Sequence, residues 1–429
     1  MESSALSSVG NDRGAQLGFS GALLIAICHF TAYVDRAIPA VFAPALRAEF
    51  SLTDTQIGLL QGPAFVVTYA MVLLIVGTSH NRLPLAPVAA LCMLGWTVAC
   101  LVFALAADIE TLMASRLMLG FAQAAFGPTA LVILAASSPQ DRLGRSTALF
   151  TAGSATGRSG ALIIGGGLLA ALTGAGWFSG LEPWRMAVIL MTLPNLVLAW
   201  LLWRRIRATA SPAPRRRGLR AAIRHIATMP ALALHVGAGV AVILLIQAGA
   251  GWAPSVLNRS LQLTPATSAW TVGLVVLVAA PTGHLAAGRW LDRQVAMGKS
   301  IAPGMVWGAA LAICGAALMA TGDQIVLVLA GLFLLTAGGG AAALTALGGL
   351  APVTTSGMHG SVVSVYLAAC ALLGTGLGPV LTGVLSDTLF PHAGGLASAL
   401  FLTIAIAGAA AILLSLAGAA GWRRLAAER

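Results

Sequence analysis

The sequence predicts an all-α membrane protein: twelve transmembrane helices in two pseudo-symmetric six-helix bundles. Three observations carry that reading, namely the composition, the length of the apolar runs, and a short motif repeated at corresponding places. Of the 429 residues, 58% are hydrophobic and only 9% charged, and the mean hydropathy is +0.91. A soluble chain of this length needs more charge to cover its surface, so lipid must cover this one. Only helices and closed barrels span a bilayer, because an unpaired backbone group there has no water to turn to. The apolar runs here reach ~20 residues or more and lack the alternation of barrel strands. Fifty glycines and nineteen prolines suit membrane helices, which tolerate both and use glycine for close packing.

Apolar runs set against polar breaks place helices near 17–46, 56–77, 84–106, 110–136, 145–171 and 184–205, then 230–255, 267–288, 301–321, 325–350, 359–385 and 394–419. The first run is long enough to include a tilted or kinked section, which Pro39 and Pro44 favour. The expected organisation is a disordered tail over 1–16, a first bundle over 17–206, a basic linker over 207–229, a second bundle over 230–420 and a tail over 421–429. The first apolar run is too long for a signal-peptide core and has no clear cleavage site, so it is expected to be retained.

Lysine and arginine outnumber aspartate and glutamate 24 to 13, a balance that in a soluble chain suggests nucleic acid. Its distribution argues otherwise. Eighteen of the cations fall in alternate loops and the tails, including the cluster from Arg204 to Arg224. The opposite loops hold only Arg47, Arg185 and Arg259. By the positive-inside rule both termini are then cytoplasmic. The basic linker reads equally as a segment lying on an anionic leaflet and as a solvated topology anchor. Cys28, Cys92, Cys100, Cys314 and Cys370 lie in apolar runs without a CxxC pair; they are small buried hydrophobes, and no metal site or cofactor is implied. No P-loop, GxSxG or histidine cluster occurs, so an enzyme lacks the groups its chemistry would need.

GTSHNR, with Gly77, Asn81 and Arg82, follows the second helix; GRWLDR, with Gly288, Asp292 and Arg293, follows the eighth. Two copies of G-x-x-x-[D/N]-R six helices apart point to duplication. This pattern resembles the loop signature of the major facilitator superfamily, as do Glu182-Pro-Trp184-Arg185, Trp252-Ala-Pro254 and the glycines Gly374, Gly376 and Gly378 before Pro379. Tyr33-Val-Asp35-Arg36, the stretch from Ala43 to Phe65, Trp96-Thr97 and the run from Arg116 through Gly120 and Gln123 to Pro128 are similar to the spinster-like branch and its bacterial relatives. The resemblance implies the major facilitator fold and a monomeric carrier that alternates between inward- and outward-open forms around a midplane site. Substrates in the family include lysolipids and sphingolipid phosphates, with organic anions and sugar acids in neighbouring branches. Two departures stand out. Gln123 occupies a position where the family has a titratable glutamate, which puts proton coupling there in doubt. The first loop motif is degraded at Asn81 and in the residues after Arg82.

Ionisable groups inside membrane helices are costly enough to be functional candidates. Asp35, Arg36, Arg116 and Arg158 all fall in the first half, three arginines against one aspartate, and Arg116 and Gln123 share a helix face. The expectation is that Asp35 pairs with one arginine while the others receive an anionic group, a carboxylate or phosphate, through the guanidinium fork. Asp35 would be the group whose protonation changes between states. The bland alternatives stand beside it: Arg116 snorkels to an interface, Asp35 and Arg36 lie near a helix end, and Arg158 only bonds neighbouring carbonyls. Gly77, Asn81, Arg82, Gly288, Asp292 and Arg293 would gate the cytoplasmic side, or serve only topology. The glycines of the fifth and eleventh helices form packing seams or sliding surfaces. The function expected is secondary active transport of a small, anionic organic solute across a bacterial inner membrane, with protons as co-substrate. A lysolipid or drug exporter and a transport-inactive sensor of the same fold are the rivals.

Overall fold

The computed structural model describes residues 19–79, 85–138, 143–175, 180–206, 218–392 and 394–427. The polar tail, Asn81, Arg82 and most of the basic linker lie outside the described residues. Twelve helices are long and apolar enough to cross a membrane: α1 (Phe19–Val41), α2 (Asp54–Leu73), α3 (Leu85–Ala104), α4 (Ile109–Ala135), α5 (Gly144–Gly174), α6 (Pro183–Arg205), α7 (Pro230–Ser260), α8 (Pro265–Ala296), α9 (Ala302–Thr321), α10 (Ile325–Val353), α11 (Gly357–Thr388) and α12 (Gly395–Ala427). The chain is a multi-pass membrane protein with α1–α6 in one bundle and α7–α12 in the other.

The break expected in the first apolar run falls at Phe42, where α1 ends and a short helix, Ala43–Phe50, begins with Pro44 in its first turn. There the missing proline N–H costs nothing, since the first N–H groups of a helix have no partner within it. Thr53 then starts α2 with a capping box: its hydroxyl accepts from Gln56 N–H (3.2 Å) and Gln56 Oε1 accepts from Thr53 N–H (2.9 Å). Asp108 caps α4 in the same manner, accepting from Thr111 N–H at 2.7 Å. Hydrogen bonds from Thr111 hold the Asp108 carboxyl below its ordinary range.

In the first bundle α1 packs along α5. Gly153, Gly157 and Gly160 make this possible: a Cβ at Gly157 would stand 2.7 Å from Phe30 O, and one at Gly153 would run into Ala26 O. The predicted small-residue seam is a packing surface. α11 repeats the device against α7, where a Cβ at Gly378 would lie 2.6 Å from Leu244 O. At Gly288 a Cβ would meet only Leu344 Cδ2 at 3.5 Å, so in this conformation no close helix approach depends on it. One element has no warning in the apolar pattern. Within α11, Cys370–Thr375 is π-helical, a widened turn that occurs mostly at functional sites. In the basic linker region Leu219–Thr228 is a helix that buries Ala222 and Ile226 and leaves Arg220 and Arg224 exposed.

The bundles meet tightly at the end where α2 starts and α7 and α11 finish. A Cβ at Gly58 would stand 2.7 Å from Pro379 O, one at Gly62 2.6 Å from Gly376 O, and one at Gly166 2.8 Å from Ala266 O. Two backbone-on-backbone seams, α2 on α11 and α5 on α8, therefore close this end.

Candidate functional site

The site grows from four helices of the first bundle. Asp35, on α1, is fully buried. Its carboxylate accepts from Asn195 Nδ2 at 2.7 Å and Thr192 Oγ1 at 3.5 Å, both on α6. The expected pairing with an arginine is corrected here. Among the described residues no arginine forms an ion pair with Asp35, because α6 supplies neutral donors instead.

Arg116 is 2% exposed and points inward rather than snorkelling. It spends its donors on backbone: Nε on Leu60 O (3.1 Å), Nη1 on Asp35 O (3.4 Å) and Nη2 on Arg36 O (3.0 Å). The carbonyls it ties belong to α1 and to the end of the first α2 segment, beside Gly62, so Arg116 clamps α1, α2 and α4 together. Arg36 donates Nε to Gln123 Oε1 at 2.6 Å, and Gln123 donates in turn to Ala32 O at 3.1 Å. The Arg36 guanidinium also lies over the rings of Tyr33 (4.6 Å), Phe65 (4.9 Å) and Tyr69 (4.9 Å), a cage that favours a cation electrostatically. Gln123 thus serves as a positioning group without a charge of its own.

Arg158 stands apart from these. It is half-buried, sits about 20 Å from the closed end by helical rise, and donates only Nη2, to Gln247 Oε1 of α7 at 2.8 Å. Gln247 Nε2 donates onward to Thr375 Oγ1 at 3.1 Å, where the π-helical stretch of α11 ends. The bland reading of Arg158, bonding to neighbouring carbonyls, does not hold: its partner is a side chain of the opposite bundle. Nearby on α1, His29 is tied through Nδ1 to Phe150 O (2.9 Å) and stacks on the Phe150 ring (3.7 Å).

The closed end carries a second charged constellation, which the sequence reading missed. Asp54 is 2% exposed and accepts from Arg259 across the bundles, Nη2 to Oδ1 at 2.5 Å and Nη1 to Oδ2 at 2.8 Å. Arg47 of its own bundle and Ser386 Oγ (2.7 Å) complete the shell. Asp387 on α11 reaches back to the start of α2, accepting from the N–H groups of Asp54 (3.1 Å) and Thr55 (2.7 Å). A carboxylate at a helix N-terminus is favoured by the orphan N–H groups and the dipole; here the helix lies in one bundle and the carboxylate in the other. At the opposite end Asp292 and Arg293 are exposed and form no ion pair among the described residues.

Two six-helix bundles, sealed at one end and joined at mid-depth by polar side chains, define a membrane transporter and not an enzyme. The chain belongs to the Major Facilitator Superfamily, whose model matches residues 25–379. Among solved structures it is similar to an inward-facing, unoccupied bacterial homologue of the human lysosomal transporter Spinster, at 20% identity and TM-score 0.78 over 95% of this chain and 97% of that one. A D-xylose–proton symporter (15%, TM-score 0.69, 93% and 97% covered) and the nucleoside transporter NupG (13%, TM-score 0.70, 93% and 98%) share the fold. An MFS-type efflux pump of Mycolicibacterium smegmatis is 28% identical over 167 residues, 39% of this chain and 37% of that protein. The match thus spans little more than a third of that relative.

Proposed function

We propose that the protein is a secondary active carrier of a small organic anion, seized at mid-depth by Arg158 with Arg36 near it and coupled to protons through Asp35. One observation carries the reading. Arg158 is a guanidinium at the bundle interface that spends one N–H on a neutral acceptor, while Arg116 is consumed by three carbonyls and Arg36 by Gln123 and three rings. A planar fork with donors to spare suits carboxylate or phosphate. Asp35, buried and ringed by neutral donors, is free to gain and lose a proton without breaking an ion pair.

The charge asymmetry makes the closed Asp54 end the outer face and the Arg293 end cytoplasmic, in an inner membrane and as a monomer. The conformation is then inward-facing, with Asp54, Arg259 and Asp387 as the outer lock and Asp292 and Arg293 as members of an inner lock that is broken in this state. Purified protein in liposomes tests the reading: an organic acid that raises its melting temperature should show saturable counterflow, lost in Arg158→Ala. A protein that binds no anion and supports no counterflow sinks it. Export of an amphiphile is the second reading, favoured by the likeness to an efflux pump and by the Tyr33, Phe65 and Tyr69 rings. Accumulation in inverted against right-side-out vesicles separates the two.

A further inference from the structure

The one mid-depth side-chain bond between the bundles described above has a neutral partner on Arg158. Gln247 Oε1 sits 2.8 Å from Nη2, one of the two positions that a carboxylate or phosphate gripped by the whole fork would take. Its amide is held from behind by Thr375. α7 and α11 pack closely, since a Cβ at Gly374 would lie 2.7 Å from the Ile243 side chain and one at Gly378 2.6 Å from Leu244 O. The Gln247–Thr375 bond therefore travels within one rigid pair of helices. The Arg158–Gln247 bond crosses between bundles and must stretch whenever they rock.

We propose that Gln247 is a specificity-determining placeholder: its carbonyl occupies Arg158 in the empty protein and cedes it to a carboxylate or phosphate on loading. The inference rests on the anion reading above and names the residue through which the second bundle senses loading. The chemistry favours the exchange in one direction. Both bonds have an ionised donor, but only an oxyanion adds the opposite charge and, through two parallel N–H bonds, matches the guanidinium fork, neither of which a neutral amide can do. A neutral hydroxyl-bearing solute has no such advantage and leaves Gln247 in place. Selection for anions then follows from competition inside the site as well as from the positive charge. A glutamate at the same position would neutralise Arg158 permanently, and an apolar residue would leave its donors bare.

The test measures thermal shift of the full-length purified protein, titrated with lactate, succinate, gluconate, benzoate and inorganic phosphate, with lactamide as the neutral control. The expected result is that at least one anion binds and lactamide does not. Gln247→Glu then weakens the bound anion by about tenfold or more, while Gln247→Leu, which removes the competitor, tightens it about threefold. Wild-type affinity in Gln247→Glu, or equal or weaker binding in Gln247→Leu, overturns the placeholder and leaves the anion reading standing. If no anion shifts either the wild type or Gln247→Leu, the anion reading falls and this inference with it. Should Gln247→Glu fail to insert, Gln247→Leu decides alone.

Discussion

Arg116 shows how a single buried charge can hold backbone together rather than face a cavity. Its three backbone acceptors leave it little to offer a solute. Arg116→Ala strands two carbonyls, Leu60 O at the break before Pro63 and Asp35 O, whose i+4 residue Pro39 has no N–H, and a buried unsatisfied group costs about 1–3 kcal/mol. Thermal unfolding in detergent should therefore show a loss of about 3 kcal/mol or more, with Arg116→Lys recovering part of it. Asp35→Asn behaves oppositely: its amide oxygen can still accept from Asn195 Nδ2 while its NH2 donates to the Thr192 hydroxyl, so the fold should hold while transport loses its pH dependence. A steep pH profile in a folded Asp35→Asn protein would count against coupling there. The sequence announced Asp35, Arg36, Arg116 and Arg158 through the plain rarity of charge in apolar runs, and Gln123 through its place in the motif that begins at Arg116. It could not tell which arginine is spent and which is free. That depends on carbonyls contributed by other helices, such as Leu60 O for Arg116. Gln247 and Thr375 carry no signal of their own, since amides and hydroxyls are common in membrane helices.

Helices were more legible than contacts, because length and hydropathy are local properties whereas partners are not. The twelve apolar runs correspond to twelve spans, and the proline-marked break in the first falls at Phe42. The π-helical turn at Cys370–Thr375 escaped notice because it leaves the apolar pattern intact. Glycines were visible, but which of them bind within a bundle and which between bundles was not. The distinction has a measurable outcome. Gly153→Val collides with Ala26 O inside the first bundle and should destabilise the protein in every state, by about 1–3 kcal/mol as overpacking does. Gly58→Val collides with Pro379 of the other bundle. That variant should keep its stability and lose closure instead. A cysteine placed at Ser386, which is buried against Asp54 of the other bundle, would then react faster with a membrane-impermeant maleimide in Gly58→Val than in the parent.

At the scale of the whole molecule, two kinds of bond hold the closed end, and they answer to different conditions. The Asp54–Arg259 bridge and the Asp387 carboxylate on the start of α2 are electrostatic. Arg47 ensures that Asp54 keeps a partner after separation, whereas Asp387 gives up its N–H donors on α2 to water. Removing the crossing partners, in Arg259→Ala with Asp387→Asn, should raise maleimide reactivity at Ser386→Cys about tenfold, the equivalent of ~1.4 kcal/mol in the opening equilibrium. Unchanged reactivity would mean that the glycine seams close this end unaided. Those seams obey a steeper law. Dispersion between touching backbones is short in range, and a gap of only about 0.5–1 Å forfeits a quarter to a half of it. Charge attraction fades gradually over the same distance. A barrier built from both has long-range guidance and a cliff at contact: it homes in from afar and then snaps shut, with few half-ajar geometries through which a proton or small ion might slip. For a membrane transporter, that abruptness guards against idle leakage.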